Sequence, residues 1–188
     1  MALDTSINRS ILTNVFPDLA KDVNFRILSE CTDVYNCIAW AMGYTDRWVD
    51  HFKGAGHWWP DGVERNTHPE TLIAAFKAEG FEMSENFLFE EGYSKVVLYK
   101  KKEKEEWTHA ARVVTSDIEY SKFGRAWDGQ HSHDVLCRTG LGKEQQSYGI
   151  AYAYMKKKDK DAMENTPVKG TISVNTENLD KLRALLKK

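Results

Sequence analysis

Tyr35-Asn36-Cys37-Ile38-Ala39-Trp40-Ala41-Met42-Gly43 has the spacing of a short core helix. Tyr35, Ile38, Ala39 and Met42 fall on one stripe, and Gly43 supplies the stop. Asp33 is placed to cap it, with Asn36 the alternative. Cys37 falls in the first turn, where unpaired backbone N–H groups and the helix dipole favour negative charge. A thiol so placed is expected to have a lowered pKa and to act as a nucleophile near neutral pH. The plainer reading makes Cys37 a small buried hydrophobe, as most free cysteines are. What surrounds the helix in the chain decides between the two.

The chain has 188 residues, 41% hydrophobic and 29% charged, which suits one soluble domain with a full core. A formal charge of −2 gives no electrostatic case for nucleic acid or an anionic membrane as partner. The first residues, MALDTSINRSILTNVF, contain no basic region followed by an apolar run, and no stretch has the length to span a bilayer. The three cysteines, Cys31, Cys37 and Cys137, are then expected to be reduced thiols in the cytoplasm. Delivery by a specialised secretion system is also compatible with such a start.

Residues 1 to 33 read as a lead-in, broken at Phe16-Pro17, with Phe25, Ile27 and Leu28 tucking an extended segment under the core. After Gly43 the chain becomes rich in Trp, His, Gly and Asp without a clean period, as in a long loop packed by its own aromatics. Trp48, Trp58 and Trp59 line a cleft or plug the core; Trp58 and Trp59 are the candidates for substrate contact, and burial favours the plug for at least one tryptophan. Thr67-His68-Pro69-Glu70 has the pattern of a capped helix start, with Leu72, Ile73 and Phe76 as the buried stripe and Gly80 as the stop. Antiparallel strands follow at 94–100, 106–114 and 118–123, then a loop-rich stretch over 124–142, and a last strand at 148–155. From Lys156 the charged run KKKDKDAMENTP reads as a linker. Leu179, Leu182, Leu185 and Leu186 then form a short amphipathic helix after an Asn175/Thr176 cap. The domain is accordingly drawn over 1–155 and the tail over 156–188.

Cys37 on a helix start is followed by His109 within a strand and by Ser121 on the neighbouring strand. That order suits nucleophilic catalysis: a thiol attacks a carbonyl, an imidazole carries its proton, and a third polar group orients the imidazole. Neighbouring strands lie about 5 Å apart, so a side chain on the third strand reaches His109. The N–H of Cys37 supplies half of an oxyanion hole, with Asn36 or Thr32 as candidates for the other half. Three alternatives stand for the third group: Ser121 or His133, ahead of Glu119, which shares the strand face of Ser121.

These residues carry a resemblance. Tyr-Asn-Cys-Ile-Ala-Trp-Ala is similar to the nucleophile helix of papain-like and NlpC-type cysteine hydrolases. More closely, the chain resembles an uncharacterised bacterial family marked by YNCIAWA, a Trp-Pro loop, THAAR, S-K-x-G, a later His and a Tyr-Gly strand. Here these are Tyr35 to Ala41, Trp58-Trp59-Pro60, Thr108 to Arg112, Ser121 to Gly124, His133 and Tyr148-Gly149. The resemblance implies an α+β fold, with a nucleophile helix packed on an antiparallel sheet, Cys37 as nucleophile and His109 as base. Papain-like enzymes carry Asn where Ser121 stands, so this chain departs from them at the third group.

The expected function is a cysteine hydrolase that cleaves an amide bond (peptide, isopeptide or side-chain amide) in a protein or peptide substrate through a thioester. A non-catalytic binding module on the same scaffold is the competing expectation, and a peptidoglycan amidase toxin the third. No cofactor is expected. His131, His133 and Cys137 lack a fourth ligand at short spacing and any C-x-x-C pair, so they read as solvated or incidental rather than as a zinc site. Arg112 lies on the face opposite His109 and is expected to pair with a carboxylate.

Overall fold

The computed structural model describes residues 3–54, 56–133, 135–137 and 148–159. The expected tail helix around Leu179–Leu186 lies outside the described residues. The chain is α+β: three α-helices and a seven-stranded antiparallel sheet among the described residues. None of these helices is long and apolar enough to cross a membrane.

The helices are α1 (Ser6–Val15), α2 (Cys37–Met42) and α3 (Pro69–Ala78), with a 3-10 turn at Pro17–Ala20. The strands of the large sheet are β1 (Arg26–Ile27), β4 (Glu82–Ser84), β5 (Tyr93–Lys100), β6 (Trp107–Val113), β7 (Ile118–Lys122), β8 (Asp128–Ser132) and β9 (Ile150–Lys158). Their spatial order is β1-β8-β7-β6-β5-β9-β4. Two short parallel strands, β2 (Trp48–Val49) and β3 (His57–Trp58), sit apart from that sheet.

The central helix follows its sequence pattern, since Ile38, Ala39, Trp40, Ala41 and Met42 are all buried and Gly43 ends the helix at φ 101°. Its cap is Asn36 rather than Asp33, because the Asn36 amide oxygen accepts from Ala39 N at 3.0 Å. On α3 the buried residues include Leu72, Ile73 and Phe76, as the period requires. The cap there is His68, not Thr67, and Asn66 Oδ1 takes the His68 N–H at 2.8 Å and the Thr71 hydroxyl at 2.6 Å. α2 and α3 cover one sheet face, where Val96, Leu98, Ala110, Ala153 and Met155 meet Trp40, Leu72 and Phe76.

Four elements depart from the expectations drawn from sequence. Residues 6–15 are helical, with Thr5 as cap and only Leu12 buried. The 124–142 stretch contains β8, and β4 is a further edge strand. β9 runs on to Lys158, so the charged run from Lys156 begins inside the sheet, where Lys156 pairs with Glu82 and Lys95. β8 tolerates Gly129 because it needs it: a Cβ there meets the Phe123 ring at 2.5 Å and Arg26 O at 3.1 Å.

Candidate functional site

The sheet opens where the site lies. β6 and β7 are paired only at Arg112–Tyr120 and Val113–Glu119. Beyond those pairs the main chain of β6 around His109 and Ala110 has no strand partner on the β7 side. The register of β6 against β5 also shifts there, from Tyr99–His109 to Lys100–Trp107, a bulge that re-aims Thr108 and His109.

Cys37 lies at this opening, with the Ala110 N–H facing its sulphur. The Asn36 amide bolts the start of α2 to β2: Nδ2 donates to Val49 O at 2.6 Å, and Oδ1 accepts from Val49 N at 3.4 Å besides capping Ala39. The N–H groups of Ala110, Ile38 and Cys37 itself face the sulphur. Although the residue keeps some exposure, the sulphur is enclosed, and burial pushes the thiol up to about 11 against those three donors. Asp50, next after β2, adds a smaller push in the same direction. The lowered thiol pKa expected from the helix start is therefore overturned, since desolvation outweighs what the end of a six-residue helix supplies.

His109 is fully buried. Its Nε2 lies 2.9 Å from Ser121 Oγ, and its ring stacks on Tyr148 with centroids 3.7 Å apart and planes 2° apart. Thr108 clamps the same segment by donating its hydroxyl to Tyr148 O. Gly149 allows that approach, because a Cβ at this position meets Lys100 O at 1.9 Å. His109 Nδ1 is buried without a hydrogen-bond partner among the described residues. Burial, then the neighbouring His131, lowers the His109 pKa well below the ordinary value of 6.5, so the ring rests neutral.

Ser121 continues to a residue that sequence reading passed over. Its Oγ lies 2.8 Å from Nε2 of His131, whose Nδ1 is 2.9 Å from Ser132 O. His131 is fully buried on β8 and its pKa is lowered, chiefly by desolvation, so the expectation of a solvated loop histidine fails. The available signal was alternation: His131 and Gly129 face one way while Gln130 faces the other, but only once 128–132 is read as a strand.

The other candidates take different places. His133 Nδ1 meets Glu119 Oε1, and its ring stacks on Phe87 at 3.9 Å. The other Glu119 oxygen accepts from Tyr99 Oη at 2.5 Å. His133 and Glu119 are thus each other's partners, and of the three alternatives Ser121 is the one on His109. Asn36 is a cap and clamp: its Oδ1 accepts from Ala39 N and Val49 N, and one of its two Nδ2 hydrogens goes to Val49 O. Trp59 is a core plug: it is buried, stacks on Trp107 at 6.1 Å and donates Nε1 to Glu64 O at 3.1 Å. Trp58 is half-buried against Tyr44, with the Arg47 guanidinium 5.4 Å from its ring centre. Arg112 does lie on the face opposite His109, yet its partner is a carbonyl and a ring, with Nε donating to Trp40 O at 2.6 Å and the guanidinium 4.0 Å from the Trp40 ring centre. Among the described residues no group of three or more His, Cys, Asp or Glu is arranged to hold a metal ion.

Comparison with curated proteins and with solved structures returns no match. A family model does match, over residues 26–156, a span that holds Cys37, His109, Ser121 and His131. The chain belongs to the family described as Domain of unknown function (DUF7689).

Proposed function

We propose that the protein is a papain-like cysteine hydrolase in which Cys37 attacks an amide carbonyl with His109 as its base. One observation carries the reading: His109 is held at Nε2 by Ser121 while Nδ1 is left unpartnered and buried, on the residue directly before the Ala110 N–H that faces the Cys37 sulphur. A buried ring nitrogen without a partner costs free energy, and in this reading the thiol beside the same peptide unit is the group that reaches it during attack.

With thiol and imidazole both neutral at rest, the proton moves during attack rather than before it. Nδ1 of His109 takes the Cys37 proton as sulphur bonds to the carbonyl carbon. The N–H groups of Cys37 and Ile38, beside the sulphur, stabilise the oxyanion. Collapse breaks the C–N bond, the amine leaves with the proton from His109, and a thioester remains on Cys37. Water, deprotonated by the same nitrogen, then attacks the thioester; the acid is released and the proton returns to sulphur. Peptide, isopeptide and side-chain amides of a protein or peptide substrate all fit this chemistry.

A second reading, a non-catalytic binding module, is favoured by the enclosed thiol and its raised pKa. Iodoacetamide labelling followed by mass spectrometry separates the two, with the exposed Cys31 as an ordinary thiol in the same molecule. For a hydrolase, Cys37 labelling has a component that stays flat through the neutral range, and His109→Ala slows it on the order of 10²-fold. Cys31 labelling is unchanged in that variant. Cys37 labelling that is indifferent to His109→Ala, and rises only toward the thiol's own pKa, overturns the catalytic reading and leaves the binding module.

A further inference from the structure

We propose that His131 is a positioning residue that, acting through Ser121, fixes His109 with its proton on Nε2 and its lone pair on Nδ1. The inference concerns the site proposed above and extends it to a residue that touches neither the thiol nor a substrate. It follows from the direction each hydrogen bond must take. Ser132 O can only accept, so His131 Nδ1, at 2.9 Å, carries a proton. His131 is fully buried, and burial keeps it neutral, which leaves its Nε2 as an acceptor. The single Ser121 O–H is then drawn to that nitrogen at 2.8 Å. The Ser121 oxygen in turn accepts from His109 Nε2 at 2.9 Å. A neutral imidazole has one N–H, so His109 Nδ1 is bare.

This explains how a serine serves at a position where an amide or carboxylate oxygen would orient a histidine unaided. A hydroxyl both donates and accepts, and by itself it holds either tautomer of its partner. A second acceptor on its far side removes the choice. The three bonds also survive proton transfer, since the imidazolium form of His109 still donates from Nε2 to the Ser121 oxygen. With the opposite arrangement, Ser121 O–H pointing at His109 Nε2, that bond must break when the ring is protonated. Glu119 shares the sheet face but bonds to Tyr99 and to His133, so among the described residues His131 is the group on the far side of Ser121.

The test is the nitrogen-resolved NMR spectrum of the full chain labelled at histidine, near neutral pH. The expected wild-type result is His109 protonated at Nε2 and His131 protonated at Nδ1. In His131→Phe, which keeps a ring but no acceptor, His109 shifts toward the form protonated at Nδ1. Iodoacetamide labelling of Cys37 then falls on the order of 10-fold. His131→Gln, which restores an acceptor oxygen, returns both readouts toward wild type. A wild-type His109 protonated at Nδ1 overturns the inference, and so does a folded His131→Phe whose His109 is unchanged. The wild-type spectrum decides even if the Phe variant does not fold. Tautomers as stated with Cys37 labelling indifferent to His109→Ala sustain the relay and remove the catalytic reading; a wrong tautomer with His109-dependent labelling does the reverse.

Discussion

The two faces of the sheet come from the same alternating strands, yet their polar groups end differently. On the helix side, Arg112 donates to Trp40 O, and Lys122 donates to Thr32 O at 2.8 Å and to Ala126 O. Those cations terminate on main-chain carbonyls and pin α2 and its lead-in to the core, where Tyr35 also donates to Asp128 at 2.6 Å. On the other side, His109, Ser121 and His131 bond to one another, and so do Tyr99, Glu119 and His133. Side chain to side chain bonds are the minority class in folded proteins, about 10–15% of all hydrogen bonds. Two such chains lie side by side on this face, while the opposite face is held mainly by apolar packing.

The sharpest way to break that comparison is to cut the helix face. Phe76 is fully buried on α3, edge-on to Phe81 with ring centres 5.2 Å apart. Phe76→Ala is expected to cost about 3–5 kcal/mol, read from chemical denaturation. The His109 tautomer in the remaining folded protein stays as in wild type. A loss under about 1 kcal/mol would mean that this core is not where the cohesion resides.

Next in size is Glu119→Ala on the polar face. It removes the acceptor that the Tyr99 hydroxyl and His133 Nδ1 share, and the loss of these hydrogen bonds is expected to cost about 1–3 kcal/mol. Glu119→Gln keeps one acceptor oxygen and is expected to lose less. If instead Glu119→Ala abolishes Cys37 labelling with stability unchanged, the two chains are not separate and Glu119 belongs to the site.

What sequence discloses and what it hides divide along the same line. α2, α3 and β5 to β7 announce themselves because their burial is local, written in a helical period or in runs of β-branched and aromatic residues. α1 lacks such a stripe, with Ile7 and Ile11 exposed and only Leu12 buried, so the Thr5 cap is its main local signal. β8 is Asp-Gly-Gln-His-Ser, residues that individually disfavour a strand. Each is there for a distant partner: Asp128 for the Tyr35 hydroxyl at 2.6 Å, Gly129 for the room it leaves Phe123 and Arg26, His131 for Ser121. Reading that segment as loop hid both the strand and the positioning histidine. Cys37 and His109 stand out in the sequence by type and order. The sign of the thiol shift does not, because it depends on how deeply the rest of the chain encloses the sulphur.

The smallest expected effect uses acid to separate the faces. His109 and His131 both have folded-state pKa values below their unfolded value of about 6.5. As pH falls through that value the unfolded chain takes up protons that the folded one refuses. Stability is thus fully present above about pH 6.5 and is lost below it, toward the depressed folded values. Between pH 7 and pH 6 the two together are expected to lower the unfolding free energy, measured by chemical denaturation at each pH. Burial sets the direction, over the charged groups that face them. His131 lies near Glu119 and Asp22, which favour its charge, and His133, which opposes it; His109 has His131 opposing, and burial dominates at both. Phe76 carries no titrating group, so a matched loss in Phe76→Ala is expected, superimposed on its lower baseline. In His131→Phe part of the acid loss should disappear, because one of the two titrating rings has gone. An acid loss unchanged by His131→Phe would mean that His131 charges as readily folded as unfolded, and a charged His131 cannot accept from Ser121.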